Sequence, residues 1–292
     1  MKIAMFAKGA RAVACLDALM AAGHKPLAIL IEDNDPTFRA RVKEAGIMLL
    51  DREDELLTMD LDLLILASYT KIVRSPIFKH PRLGTINLHG GKLPDYRGAS
   101  VINWQIIQGE SKGGVAVVVV DDGIDTGDIL AEAMYDIGPD ETIAEVQEKV
   151  VALFPPLLVG VVERFDRGDT SGRRQQPHEG AYWHKRRADD GMIDWRSLSD
   201  KKVHDLVRSL VRPYPGAFSY LGGRKVYIWK TELLAPTFSG LAGRIVRGYG
   251  GGHVVIAANR GILVRDFSFE NADEEESRRI MREHIGKSFG NI

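Results

Sequence analysis

The sequence predicts an α/β protein in two parts: a mostly parallel sheet covered on both faces by helices, then a small β-barrel. Short apolar strands alternate with amphipathic helices through the first half of the chain, the pattern a parallel sheet needs for its crossovers. An uninterrupted apolar run, Val115 to Val120, has the composition of a strand buried on both faces. The barrel rests on a third observation, a series of short, turn-separated strands between Ala217 and Phe267.

Lys2 to Phe6 alternates into the first strand. A helix from Arg11 to Ala22 follows, buried through Val13, Leu16, Ala18, Leu19 and Met20, and Gly23 ends it. Pro26 to Ile31 is the next strand, and Glu32 to Pro36 is a polar turn. Then come a helix (Thr37 to Ala45), a short strand (Gly46 to Leu50), a helix near Arg52 to Thr58 and a strand (Leu61 to Ala67). Thr85 to Leu88 forms a short strand that Gly90, Gly91, Pro94 and Gly98 turn into a loop. Ser100 to Gly109 is a helix whose Trp104 is expected to pack on the sheet, and Ile129 to Tyr135 is a further strand. Thr142 and Glu145 have capping-box spacing for a helix to about Leu153, which Pro155-Pro156 should interrupt or kink before Leu157 to Arg167 continues it.

Gly168 to Gly191 is polar, glycine-bearing and basic, which reads as a linker whose Tyr182-Trp183-His184 packs on the first domain. A helix from Asp200 to Val211 and the run Pro213-Tyr214-Pro215-Gly216-Ala217 lead into strands at Ala217–Leu221, Lys225–Thr231, Gly243–Gly248, Val254–Ala257 and Gly261–Phe267. Asp273 to Glu276 beside Arg278 and Arg279 reads as a solvated helix face with charge pairs. The expected domains are 1–167, a linker at 168–198, and 199–292.

A chain of 292 residues, 45% hydrophobic and 27% charged, has ordinary globular composition and buries one large core or two modest ones. A formal net charge of -1 argues against an extended nucleic-acid footprint. Cys15 is the only cysteine, so an intrachain disulfide and a thiolate metal cluster are excluded, and its apolar helical setting makes it a packing residue. The N-terminal stretch lacks a signal-peptide core, and no apolar run approaches the ~20 residues that span a bilayer. A cytoplasmic protein is expected. Gly9 stands without a Gly-x-Gly-x-x-Gly, and neither a Gly-x-Ser-x-Gly elbow nor His-Glu-x-x-His spacing is present. Dinucleotide, covalent and metal chemistry are therefore not expected.

The chemistry concentrates between Gly84 and Asp128. Asn87 and His89 stand at a strand end with a glycine-rich exit, where open α/β sheets keep their ligand sites. Asp121-Asp122-Gly123-Ile124-Asp125-Thr126-Gly127-Asp128 crowds carboxylates and glycines at the mouth of the apolar strand. Two adjacent sheet edges would then bring an amide, an imidazole and a carboxylate together, a set suited to acyl transfer. An oriented amide such as that of Asn87 is worth ~3–4 kcal/mol toward a developing oxyanion. An imidazole stabilises charge or moves a proton near neutral pH, and a carboxylate such as Asp125 orients it.

Asn-x-His, then a Leu-Pro loop, then Asp-x-Gly-x-Asp-x-Gly-Asp, in this order and spacing, resembles the formyltransferases that use 10-formyltetrahydrofolate. The resemblance implies a Rossmann-like catalytic domain and an oligonucleotide-fold-like (OB-like) C-terminal barrel, with Asn87, His89 and Asp125 as the catalytic trio. It implies N10-formyltetrahydrofolate as the formyl donor, no metal, and a folate pocket at Ser68, Tyr69, Thr70, Lys71, Leu93, Pro94, Asp121, Asp122, Gly123 and Ile124. Relatives that act on methionyl-tRNA carry a longer basic insertion after the second strand and a Ser-Leu-Leu-Pro loop. This chain has the acidic turn Glu32 to Pro36 and Gly91-Lys92-Leu93-Pro94 instead. Those differences and the near-neutral charge favour a nucleotide-linked amino sugar as acceptor, with Lys92 and Arg97 meeting an anionic substrate. Methionyl-tRNA is the alternative acceptor. A non-catalytic folate- or RNA-binding protein is the alternative of another class, and the β domain is a candidate homodimer contact.

Overall fold

The computed structural model describes residues 1–176 and 178–290. β1 (Ile3–Ala7) is buried at every position because it lies inside a seven-stranded sheet. It pairs in parallel with β2 (Ala28–Ile31) on one side and β4 (Leu63–Ala67) on the other. β3 (Met48–Leu50) extends the sheet beyond β2, and β5 (Thr85–His89) lies parallel to β4. Two short strands outside this sheet, β6 (Arg97–Gly98) and β9 (Tyr182–Trp183), pair with each other in parallel. β7 (Lys112–Val119) runs antiparallel to β5, and β8 (Ile129–Asp136) antiparallel to β7. The order is β3-β2-β1-β4-β5-β7-β8, a mostly parallel, Rossmann-like sheet.

Side chains alternate across the strands. Ala4, Phe6, Leu64 and Leu66 face one side and pack with Leu56, Val73, Ile77 and Phe78. The helix α1 (Gly9–Ala21) buries Ala12, Cys15, Leu16 and Leu19. After α2 (Pro36–Glu44), the helix expected near Arg52 is a tighter 3₁₀ segment, Glu53–Thr58. A four-residue helix, α3 (Ser75–Phe78), carries Pro76 in its first turn, where no N–H is needed.

Contacts divide the chain into two compact units. The first holds Met1–Val101, Lys112–Asp136 and Gln147–Trp183, and the second holds Ile102–Ser111, Ile137–Val146 and the chain from His184. Two helices, α4 (Val101–Gln108) and α5 (Ile143–Asp166), have residues in both. Thr142 N–H donates to the Glu145 carboxylate at 2.7 Å at the start of α5, as the capping spacing predicts. Of the interruption or kink expected at Pro155-Pro156, the interruption is corrected, because α5 runs through both prolines. An internal proline costs about 3 kcal/mol. Val150, Phe154, Leu158, Val161, Val162 and Phe165 are buried along this helix, each worth roughly 1.5–3 kcal/mol, so packing offsets the missing hydrogen bonds. The Trp104 ring meets His184 edge-on at 5.1 Å and the Arg186 guanidinium at 4.7 Å.

The second unit is built on β10 (Ala217–Leu221), β11 (Arg224–Leu233), β12 (Ile245–Tyr249), β13 (Gly252–Ile256) and β14 (Gly261–Phe269), all antiparallel in the order β10-β11-β14-β13-β12. The segment 286–290 reaches both edge strands. Gly290 N–H donates to the Tyr220 carbonyl at 3.0 Å, and Ile245 N–H donates to the Lys287 carbonyl at 2.9 Å. The segment thus pairs locally with both edge strands. Besides α6 (Asp200–Arg208), this unit has α7 (Glu274–Glu283), whose charged stretch also buries Ser277, Ile280 and Met281.

Candidate active site

Asn87 and His89 are two residues apart on β5 and therefore share a face. His89 is buried and Asn87 half-buried. The His89 ring is gripped from both sides: Nε2 lies 2.6 Å from the Tyr96 carbonyl and Nδ1 lies 3.4 Å from Asp125 Oδ1. A carbonyl only accepts, so Nε2 carries a proton. Gly91 makes this fit possible, since a Cβ there would stand 2.5 Å from the Tyr96 carbonyl oxygen and 2.7 Å from His89 Nε2.

The expectation that two adjacent sheet edges bring the trio together is corrected by the strand directions. β5 and β7 are antiparallel, with Ile86 opposite Val119 and His89 opposite Ala116. The end of β7 therefore lies beside the start of β5. Asp125 reaches His89 because the loop after β7 doubles back. Asp121 holds that loop by accepting the Gly123 N–H at 3.0 Å and the Thr126 hydroxyl at 2.6 Å. Asp125 sits at φ +53°, a left-handed conformation that costs an ordinary residue of order 1–3 kcal/mol. Its Oδ1 accepts the Asn87 amide at 3.2 Å and its Oδ2 accepts the Gly98 N–H at 2.9 Å. The carboxylate partner fixes which end of the Asn87 amide is nitrogen and leaves its second N–H for a ligand.

Asn87 and Asp125 line a cleft of about 470 Å³ with an apolar floor that includes Leu66, Val73, Phe78 and Val118. Its volume and apolar lining suit a heterocycle. Tyr69, Lys71, Asp121, Asp122, Gly123 and Ile124 also line it. Burial and the Glu53 carboxylate, which accepts the Tyr69 hydroxyl at 2.5 Å, push that phenol well above its ordinary range. Asp122 pairs with Lys79 at 2.7 Å, and Ile124 is 54% exposed.

Four residues expected in the folate pocket are not among those lining this cleft. Ser68 is half-buried at φ +59°. Thr70 turns to Glu32, donating both its N–H, at 2.7 Å, and its hydroxyl. Burial pulls Glu32 upward, but Thr70 and Lys8 hold it below the usual carboxylate range. Leu93 packs with Ala116, Val118 and Ile129, and the Pro94 carbonyl accepts the Ala181 N–H at 3.3 Å. Lys92 stays exposed, 3.3 Å from Asp95. Among the described residues no group of three or more His, Cys, Asp or Glu side chains forms a metal-ligand set, and no helix is long and apolar enough to cross a membrane.

Residues 25–162 match the family model described as formyl transferase, and residues 185–284 match the one described as formyl transferase, C-terminal domain. The methionyl-tRNA formyltransferase of Acetivibrio thermocellus is 35% identical over 213 residues, covering 72% of this chain and 68% of that protein. The chain belongs to the formyl transferase family. The methionyl-tRNA formyltransferase of Ruminiclostridium cellulolyticum is 29% identical over 302 residues, 97% of this chain and 96% of its own. An N-formyltransferase structure from Helicobacter canadensis, in complex with folinic acid and dTDP-3-aminofucose, shares the fold with a TM-score of 0.73. It is 17% identical and covers 91% of this chain and 99% of that one. The protein is thus an enzyme, a transferase.

Two features of this formyl transferase escape sequence reasoning. Arg97, expected to meet substrate, is 1% exposed. Its Nε and Nη2 donate to the Gln175 amide oxygen at 3.2 and 2.8 Å, and its Nη1 donates to the Glu179 carbonyl at 2.9 Å. The guanidinium is thereby committed to acceptors of the chain itself. The second feature is the stretch around Gln175, which reads as linker because it is polar and lacks periodicity. Arg173 pairs with Ile129, the Gln175 amide donates to the Asp125 and Gly127 carbonyls at 2.9 and 2.7 Å, and Tyr182–Trp183 pairs with Arg97–Gly98. Trp183 stacks on Tyr96 with ring centroids 5.4 Å apart, so these aromatics pack on the first domain as expected.

Proposed function

We propose that this formyl transferase moves the formyl group of N10-formyltetrahydrofolate to a primary amine by direct attack, with Asn87, His89 and Asp125 as its catalytic set. The donor supplies a formyl carbon activated for acyl transfer. The observation that carries the reading is the joint hold of Asp125 on Asn87 and His89 at the wall of a cleft fit for a heterocycle. The second N–H of Asn87 stabilises negative charge on the formyl oxygen, a contribution of ~3–4 kcal/mol. With its Nε2 proton committed to Tyr96, the His89 ring turns its Nδ1 toward the Asp125 carboxylate. One proton fits between them. The proton leaving the amine enters that pair through Asp125, the member that lines the cleft, and passes on to N10 as the bond from the formyl carbon to N10 breaks and tetrahydrofolate leaves. Tyr69, Lys71 and the loop Asp121 to Ile124 hold the donor.

For the acceptor, the full-length similarity to methionyl-tRNA formyltransferases supports methionyl-tRNA more strongly than the nucleotide-linked amino sugar that the sequence differences favour. The sugar keeps a specific observation of its own, the short acidic turn Glu32 to Pro36 in a chain of net charge -1, a poor electrostatic match to a long RNA. The deciding experiment supplies 10-formyltetrahydrofolate with methionyl-tRNA or with dTDP-linked 3-amino and 4-amino sugars, following tetrahydrofolate release and the formylated product. Formylated tRNA with inert sugars selects the first acceptor, and a formylated sugar with inert tRNA selects the second. Donor consumption without either product overturns amine transfer in favour of donor hydrolysis.

A further inference from the structure

We propose that Gln175, locked by Arg97, is the positioning residue that holds Asp125 in its working conformation; the inference rests on the reading of Asp125 as a member of the formyl-transfer site. Asp125 lies in a loop and at a positive φ, so neither strand pairing nor intrinsic preference keeps it there. The Gln175 amide nitrogen supplies what the loop lacks. Its two N–H groups reach two carbonyls of the same turn, Asp125 at 2.9 Å and Gly127 at 2.7 Å. Gln175 is itself immobilised, because its oxygen takes two donors from one guanidinium and it is 6% exposed. Arg97 is fixed in turn by the Glu179 carbonyl and by the Tyr182 ring, 5.5 Å from its central carbon. Its neighbour Gly98 donates its N–H to the Asp125 carboxylate. Asp125 is thus held through its backbone by Gln175 and through its side chain by Gly98, both anchored on Arg97.

A fixed orientation matters here because a displacement of about 1 Å at a reacting group can cost ~100-fold in rate. The test uses Gln175→Ala, the isosteric Gln175→Glu, Arg97→Lys, Asp125→Asn and the double variant Gln175→Ala/Asp125→Asn. Gln175→Glu keeps the shape and gives Arg97 a carboxylate, but sets that carboxylate against two carbonyls. It therefore separates the loss of the N–H donors from the loss of packing, and it carries the test where Gln175→Ala fails to fold. The readouts are kcat and KM with 10-formyltetrahydrofolate and the acceptor that the unaltered protein formylates, and the nitrogen resonances of His89 in ¹⁵N-histidine-labelled protein, which need no acceptor.

We expect Gln175→Ala and Gln175→Glu to lower kcat by about 100-fold with a much smaller change in KM, and Arg97→Lys to fall between them and the unaltered protein. The His89 resonances should move in the direction produced by Asp125→Asn. In the Asp125→Asn background, Gln175→Ala should add little further loss, as expected of residues acting through one another. A folded Gln175 variant with unchanged kcat and His89 resonances overturns the inference, and so do losses that multiply in the double variant. If Asp125→Asn itself transfers formyl at the unaltered rate, the reading of the site fails and takes this inference with it.

Discussion

Nδ1 of His89 lies 3.4 Å from Oδ1 of Asp125, while Nε2 of the same ring lies 2.6 Å from the Tyr96 carbonyl. The imidazole is committed at both ends, and the carboxylate is the outlet by which it communicates with the cleft. Asp125→Asn leaves one oxygen to answer both Asn87 and Gly98 and removes the carboxylate that takes up the proton. The expected loss in the transfer step is about 10²–10⁴-fold for Asp125→Asn and for His89→Ala, and about 10²–10³-fold for Asn87→Ala. Single-turnover formyl transfer with enzyme in excess measures these losses. Near-normal rates in all three variants would remove the trio from the mechanism.

Two glycines test the packing behind that trio by different physics. At Gly98, φ is +96° and an added Cβ would stand 2.3 Å from the Trp183 carbonyl oxygen. Gly98→Ala should therefore destabilise the fold, by about 1–3 kcal/mol from backbone strain alone, and should also disturb the N–H that Asp125 accepts. At Gly91 the added Cβ meets His89 and Tyr96 directly, so the His89 ring itself must move. Gly91→Ala should lose activity out of proportion to stability. Urea unfolding beside transfer kinetics separates the two cases; equal activity losses at equal stability would contradict the contrast.

The architecture was legible because periodicity reports burial directly. Lys2 to Ala67 alternates strands and helices under strong apolar patterning, and the observed elements follow that alternation. The motif that resembles the formyltransferases led to the expectation that Asn87, His89 and Asp125 meet, and Asp125 does contact the other two. What failed was information that spacing does not carry. Val115 to Val120 reads as buried whether it runs parallel or antiparallel to its neighbour, so the doubling back of the Asp125 loop was invisible. Arg97 reads as a surface cation because nothing local announces that Gln175, 78 residues later, receives its guanidinium. Pro155-Pro156 reads as a break because the packing of Phe154 and Leu158 is a tertiary property.

Cys15 offers a probe of the first unit. Burial pushes its thiol up to about 12, so at pH 8 only ~10⁻⁴ of it is thiolate in the folded protein, and the thiolate is the nucleophile. Iodoacetamide labelling at pH 8 should be undetectable on the folded protein over minutes and should become rapid once urea unfolds the chain. Prompt labelling without denaturant would show that α1 opens far more readily than its fully buried contacts, Ala12, Leu16 and Leu19, imply.

Glu32 sets an acid-side limit on stability. Its carboxylate accepts the Thr70 N–H at 2.7 Å and the Thr70 hydroxyl and lies 3.4 Å from Lys8 Nζ, which together hold it below the ordinary carboxylate range although burial opposes this. An unfolded glutamate takes its proton near pH 4.3, before the folded one does. The unfolded state therefore binds the extra proton first as pH drops. The stabilisation is fully present above the unfolded value and is lost as pH falls through the lower folded value. Glu32→Gln should lower the urea midpoint at pH 7, and the gap to the unaltered protein should shrink toward pH 3. Because Thr70 stands between Tyr69 and Lys71, which line the cleft, the same variant should weaken binding of 10-formyltetrahydrofolate. A gap that stays constant across this pH range would mean that the carboxylate charge contributes nothing and that Glu32 acts through shape alone.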